Sequence, residues 1–246
     1  MINIQSLSQS YGKKQVLKDV SLNIVKKERC ALVGRNGSGK STLIHTMLGI
    51  LPFKNGTITL NGHPVKKNKW KKDVAYLPEK FHLYPHLTAK ENLHFFASLQ
   101  DKRANEQKIE SVLQQVNLLE VKDEKVNRFS KGMLQRLGLA LMLYYDAKLL
   151  ILDEPTSGLD PIGRAEILEV LQSLDDKTIF LSSHHIDEIQ QVCTHVAYLE
   201  DGKMTKYTVE EFMKVMKVGG GNNNESENQD ASNVTSFNKH VRYSRM

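Results

Sequence analysis

Apolar and polar residues alternate from Ile2 to Leu7 and again from Val20 to Val25, the pattern of strands with one face buried. The stretch between them, Gln9 to Leu17, reads as turn-rich and carries one aromatic, Tyr11. Cys30-Ala31-Leu32-Val33 is continuously apolar, as expected of a strand covered on both faces. Thr57 to Leu60 is a short strand bracketed by Asn55-Gly56 and Asn61-Gly62 turns. Further core strands are expected at Asp73–Leu77, closed by Pro78, and at Lys148–Leu152, Thr178–Leu181 and Val196–Leu199. Asp201-Gly202 makes a hairpin turn into Lys203-Met204-Thr205.

From Glu79 to Asp146 the period becomes helical. Thr88-Ala89-Lys90-Glu91 fits a capping box, and the helix it opens sets Leu93, Phe96 and Leu99 on one side. Ile109, Val112, Leu113 and Val116 repeat at helical spacing. A third segment, Lys131 to about Tyr145, is apolar over much of its circumference, and another helix is expected from about Pro161 to Leu174. The expected fold is α/β, with an N-terminal antiparallel β part and a core over residues 1–78 and 147–216. Residues 79–146 form a helical insertion, so that 1–216 is one unit. The stretch 217–246, which opens on Gly219-Gly220-Gly221-Asn222, has too little to bury and is expected to be a disordered polar tail.

Composition changes this picture little. In 246 residues, 40% hydrophobic and 25% charged are ordinary for a globular chain. No window approaches the roughly 18 consecutive apolar residues of a helical membrane span, and Met1 to Gln5 lacks the basic and apolar regions of a signal peptide. Cys30 and Cys193 read as small core residues with no disulfide framework, which makes the cytosol the expected compartment. The net charge of +6 permits an acidic partner. Much of it lies in Lys66-Lys67-Asn68-Lys69-Trp70-Lys71-Lys72, read as a solvated loop or, alternatively, as a face near lipid headgroups. His82, His86 and His94 have no compact zinc spacing and read as surface or interface histidines.

The chemistry begins at Gly34-Arg35-Asn36-Gly37-Ser38-Gly39-Lys40-Ser41, followed by Thr42 and a helix. A strand, a glycine-rich turn and a helix in that order form the setting in which G-x-x-x-x-G-K-[ST] means a phosphate loop. The glycines let successive N–H groups point inward at phosphate oxygens, and the helix adds the positive end of its dipole. Lys40 is placed to reach the β- and γ-phosphates and Ser41 to ligate Mg²⁺. Leu149 to Leu152 then runs into Asp153-Glu154, two carboxylates where parallel sheets bind ligands. Asp153 would hold the Mg²⁺ shell and Glu154 would polarise an attacking water.

Two further stretches, Phe129-Ser130-Lys131-Gly132-Met133-Leu134-Gln135-Arg136 and Ser157-Gly158-Leu159-Asp160-Pro161, complete a resemblance. The chain resembles the ATP-binding subunits of ABC transporters over nearly all of Met1 to about Met216. The resemblance implies a P-loop NTPase fold in which two copies face each other head to tail, each ATP lying between one phosphate loop and the opposite signature. It implies that Tyr11 stacks on adenine and that Ser130 and Gly132 contact the γ-phosphate held by the other subunit. It also makes Glu154 the general base, has Asp160 cross the dimer interface, and brings His184, rather than its neighbour His185, to the γ-phosphate. Two positions depart from the usual pattern: the signature reads Phe-Ser-Lys-Gly-Met instead of Leu-Ser-Gly-Gly-Gln, and Glu79 replaces the glutamine that ligates Mg²⁺ or water. Both look like the exporter-type branch that includes peptide-antibiotic exporters and the copper-maturation ATPases of nitrous oxide reductase. The implied function is ATP hydrolysis powering a separate multi-span permease, by a homodimer on the cytoplasmic face of the membrane. A soluble ATPase of the same type acting on ribosomes or nucleic acid is the alternative, though such proteins usually carry two nucleotide units or a long coiled coil, so no nucleic-acid partner is expected. A regulator without turnover fits poorly with intact Lys40, Asp153, Glu154 and His184.

Overall fold

The computed structural model describes residues 1–99 and 104–219. Two sheets enclose one helix. The first is antiparallel, built from β1 (Ile2–Tyr11), β2 (Lys14–Ile24), β4 (Asn55–Leu60) and β5 (His63–Pro64) in the order β2-β1-β4-β5. The second has six strands in the order β10-β9-β3-β8-β7-β6: β3 (Arg29–Val33), β6 (Val74–Leu77), β7 (Leu149–Asp153), β8 (Thr178–Ser182), β9 (His195–Glu200) and β10 (Lys203–Thr208). All its pairings are parallel except β10 with β9, which the Asp201-Gly202 turn joins as a hairpin.

The alternation of side chains along the central strands assigns each residue to a layer. Leu149 and Ile151 of β7 and Phe180 of β8 pack with Cys30 and Leu32 against Leu43, Ile44 and Met47 of α1 (Lys40–Met47), beneath the antiparallel sheet. Leu150, Leu152, Ile179 and Leu181 face the opposite layer. That layer holds α2 (Ala89–Ser98), α3 (Glu106–Gln115), α4 (Lys131–Tyr144), α5 (Pro161–Gln172), α6 (Ile186–Val192) and α7 (Val209–Gly219). The same parity puts Asp153 and Ser182 on the α1 face, which is why a carboxylate at the end of β7 can reach the glycine-rich turn. Cys30 and Cys193 are both buried; burial raises the Cys30 thiol and pushes Cys193 up to about 12, so both act as inert core residues.

Several local expectations change. Gln9 to Leu17 is a tight hairpin rather than a long turn, since β1 runs to Tyr11 and β2 starts at Lys14. The capping box is present: Thr88 Oγ1 accepts from Glu91 N–H and Glu91 Oε2 accepts from Thr88 N–H. Leu93 is buried on the side expected, but Leu99 lies past the end of α2 and is 69% exposed. Lys66 to Lys72 forms short 3-10 turns that bury Val65 and Trp70, with the Trp70 indole N–H donating to Val65 O, and leave the lysines outside. The last helix continues to Gly219, beyond the expected boundary at 216, and the rest of the expected tail lies outside the described residues.

On α4, Gly138 is where the loop after β6 comes closest. A Cβ there would come within 2.6 Å of Phe81 Cζ and 2.9 Å of Leu77 Cδ1. Gly138→Ala should therefore destabilise the fold by about 1–3 kcal/mol, the cost of overpacking. An unchanged melting temperature would show that Phe81 is not pinned there.

Candidate functional site

The turn between β3 and α1 is shaped by its glycines. Gly39 adopts φ +109°, where a side chain is strained, and a Cβ on it would come within 2.7 Å of Val16 Cγ1. A Cβ on Gly34 would come within 2.5 Å of the Leu199 carbonyl oxygen. The α1 N-terminus that follows has no side-chain cap. In contrast Thr88, Asn105, Ser130 and Asp160 cap α2, α3, α4 and α5 through their side chains. The first-turn N–H groups of α1 are thus left to an external acceptor. Ser38 Oγ is also buried with no partner among the described residues, and the buried Lys40 ammonium folds back to donate to Gly34 O at 2.9 Å. These unspent donors around a backbone cradle suit a polyphosphate.

A cavity of about 290 Å³ opens over this cradle. Gly37, Gly39, Lys40, Ser41 and Thr42 line one side, and Glu79, Asp153 and Glu154 the other. Ser182 Oγ donates to Asp153 Oδ1 at 2.6 Å and accepts the Glu154 N–H at 2.8 Å, so one hydroxyl orders both acids. Glu154 is held at φ +48°, an uncommon conformation for a residue with a side chain. His184 Nδ1 lies 2.9 Å from Glu154 Oε2, pairing the two. The His185 ring lies tilted against that of His184, 4.0 Å between centroids, and burial lowers its pKa. The hydroxyl of Ser41 and the carboxylates of Asp153 and Glu79 supply the hard oxygen donors a magnesium ion takes.

Most of the other expected residues stand apart from this cavity. Tyr11 is half exposed at the hairpin and does not line it, whereas Val16, which sequence reasoning missed, does. Asn36 lines both this cavity and a neighbouring one of about 410 Å³ beside the Asp201-Gly202 turn, whereas Arg35 and Ser38 line the neighbouring one alone. Ser130 Oγ accepts from the Met133 N–H, and Asp160 Oδ1 accepts from the Gly163 N–H. Neither Ser130, Gly132 nor Asp160 lines the phosphate-loop cavity. Lys131, the odd residue of that stretch, lays its ammonium against Gly158. Sequence reasoning also missed Ser182, although it stood in view two residues before His184. His94, set aside as a metal ligand, pairs with Glu106.

A third cavity, about 420 Å³ and mostly apolar, opens between β6 and α4, lined by Tyr76, Leu77, Phe81, Leu83, Phe96 and Leu141 among others. Tyr76 bridges the two regions. Its hydroxyl lies 3.3 Å from His45 Nε2 on α1, and burial, reinforced by the Asp153 charge, pushes its pKa up to about 12. Tyr84 lies outside this cavity and packs edge-on against Phe95.

Comparison with known proteins gives concordant results. Residues 17–157 match the family described as ABC transporter. The linearmycin resistance ATP-binding protein LnrL of Bacillus subtilis is 35% identical over 210 residues, covering 83% of this chain and 68% of that one. The lantibiotic transport ATP-binding protein SrtF of Streptococcus pyogenes is 36% identical over 206 residues, covering 83% and 89%. A solved ATP-binding subunit of an ABC transporter superposes with a TM-score of 0.76 at 28% identity, over 89% of this chain and 95% of that one.

Proposed function

The chain belongs to the ABC transporter family as an ATP-binding domain whose chemistry is ATP hydrolysis, and from that premise we propose that it powers an exporter as a head-to-tail homodimer bound to a separate permease. One observation carries the dimer. The phosphate-loop cavity holds Lys40, Ser41, Asp153 and Glu154, whereas the signature Ser130 and Gly132 lie outside it, an arrangement that supports a second copy supplying them. Ser130 keeps its hydroxyl proton free to donate while it caps α4. In this reading 1–216 acts as one ATPase unit on the cytoplasmic face of the membrane, with 79–146 as its helical arm.

Within each half, the phosphate loop and Lys40 hold the β- and γ-phosphates in line for attack. Tyr11 reaches adenine from the hairpin tip. Glu154 takes the proton of the attacking water, while His184 orients that carboxylate and meets the γ-phosphate. Mg²⁺ held by Ser41, Asp153 and Glu79 would offset charge on the phosphate oxygens. Phosphate release by the purified chain tests turnover. Recovery of a multi-span membrane protein with it, rather than ribosomes or DNA, tests the transport reading.

The apolar cavity beside α4 is where the permease would dock a short cytoplasmic segment, since solvated apolar concavities of this kind mark partner sites. Phe81 and Leu83 line it, but Phe81 is also wedged on Gly138, so its replacement would confuse docking with folding. Leu141→Trp fills the cavity from α4 instead. It should abolish co-purification of the permease while the ATPase rate and melting temperature of the isolated chain stay near wild type. Unchanged co-purification would place the docking surface elsewhere. The names of the relatives, linearmycin resistance and lantibiotic transport, favour an antibiotic as cargo.

A further inference from the structure

One buried carboxylate close to this machinery has no part in the scheme above. Glu188, in the first turn of α6, is 3% exposed and meets three segments at once. Its Oε1 accepts from Thr156 Oγ1 at 2.7 Å, and its Oε2 accepts from Ser183 Oγ at 2.7 Å. Arg164 Nε of α5 lies 3.4 Å from Oε1, an ion pair longer than a good hydrogen bond. Each segment carries one member of the proposed site. Thr156 follows Glu154 in the same turn, Ser183 precedes His184, and Arg164 sits one helical turn past Asp160, to whose carbonyl its N–H donates.

We propose that Glu188 is a positioning residue that holds Glu154 and His184 in register and ties both to the Asp160 turn. The inference rests on the reading of Glu154 as the base. A carboxylate has only acceptors, so both hydroxyls must donate to it. Ser183 Oγ is then left with lone pairs, one of which accepts the His185 N–H at 3.1 Å. That bond fixes the peptide joining His184 to His185 and, through it, the 2.9 Å approach of His184 to Glu154. On the other arm, the Thr156 bond anchors the turn in which Ser157 N–H donates to Glu154 O and Leu159 N–H to Thr156 O. This turn contains the Glu154 backbone at φ +48°. Hydrogen bonds from hydroxyl to carboxylate are roughly twice as strong as neutral ones. A strained conformation persists only where its surroundings over-determine it, and the Glu188 clamp supplies that.

The test compares steady-state ATP hydrolysis, nucleotide affinity and melting temperature of the full chain for Glu188→Ala, Ser183→Ala and Thr156→Val. Each should lower kcat by about 10- to 100-fold, the range seen when a supporting contact behind reacting groups is lost. KM for MgATP should stay within about twofold, since the phosphate loop is untouched. Thr156→Ser, which restores the hydroxyl, should recover most of the rate, whereas Thr156→Val keeps the shape and not the bond. In a Glu154→Gln background, Glu188→Ala should lower the rate no further, because it acts through the group already removed. If Glu188→Ala fails to fold, the two hydroxyl deletions carry the test alone. The proposal is overturned by near-normal kcat in Ser183→Ala and Thr156→Val, or by a Glu188→Ala loss that multiplies with that of Glu154→Gln. Failure of the underlying reading is separate, since it would appear as normal turnover in Glu154→Gln itself.

Discussion

Lys40→Ala is expected to lose ATP binding and hydrolysis together. The ammonium is buried at the mouth of α1, where no side chain caps the helix and no acid lies in its first turn. It lines a cavity whose far wall is acidic, Glu79, Asp153 and Glu154. Without Lys40, those carboxylates would repel the polyphosphate. Removing one member of such a desolvated charge pair costs about 2–5 kcal/mol, or roughly 30- to 4,000-fold in affinity. Titration with a fluorescent nucleotide reads this directly. Wild-type affinity in Lys40→Ala would mean the cradle is not where the phosphates lie.

Glu154→Gln is expected to separate the two properties. Gln keeps the shape, the bond of the main-chain N–H to Ser182 and a contact with His184, but it cannot take a proton. Turnover should fall by about 10²- to 10⁴-fold, the contribution of a positioned base. ATP should still bind, because Lys40, Ser41 and the α1 N-terminus are unaltered. Single-turnover phosphate release, measured beside nucleotide retention, would show occupied and idle chains. Hydrolysis near the wild-type rate would remove Glu154 as the base and leave His184 or a backbone-held water to be considered.

What the chain reveals of itself before folding depends on whether the signal is local. The glycine-rich turn is local: Gly39 must be glycine for its φ and its approach to Val16, and those constraints show as letters in a row. The central strands are legible because being covered on both faces demands uninterrupted apolar residues, as Leu149 to Leu152 illustrates. The helix α7 carried equally readable signals that went unused. Thr208 and Glu211 form a reciprocal cap, and Phe212, Val215 and Met216 follow at helical spacing. The β1–β2 hairpin was read as a longer turn because Gln9 to Leu17 is polar on its exposed side, and tertiary pairing rather than propensity extends its strands.

The clamp on Glu188 belongs to the other kind. Nothing near that residue in sequence marks it off from a surface acid at the start of a helix. Its meaning comes from Thr156, Ser183 and Arg164 converging from three separate segments. The same holds for the outlying place of the signature. Only the folded chain puts Ser130 and Gly132 outside the cavity they are expected to complete, and this turns a resemblance into a claim about assembly.

That claim is most directly tested by the solution mass of Glu154→Gln with and without MgATP, measured by light scattering on a sizing column. If a second copy must supply the signature, the chain should run near its 28.0 kDa mass alone and at twice that when ATP is bound and not consumed. A nucleotide-loaded chain that stays at the monomer mass would contradict the account.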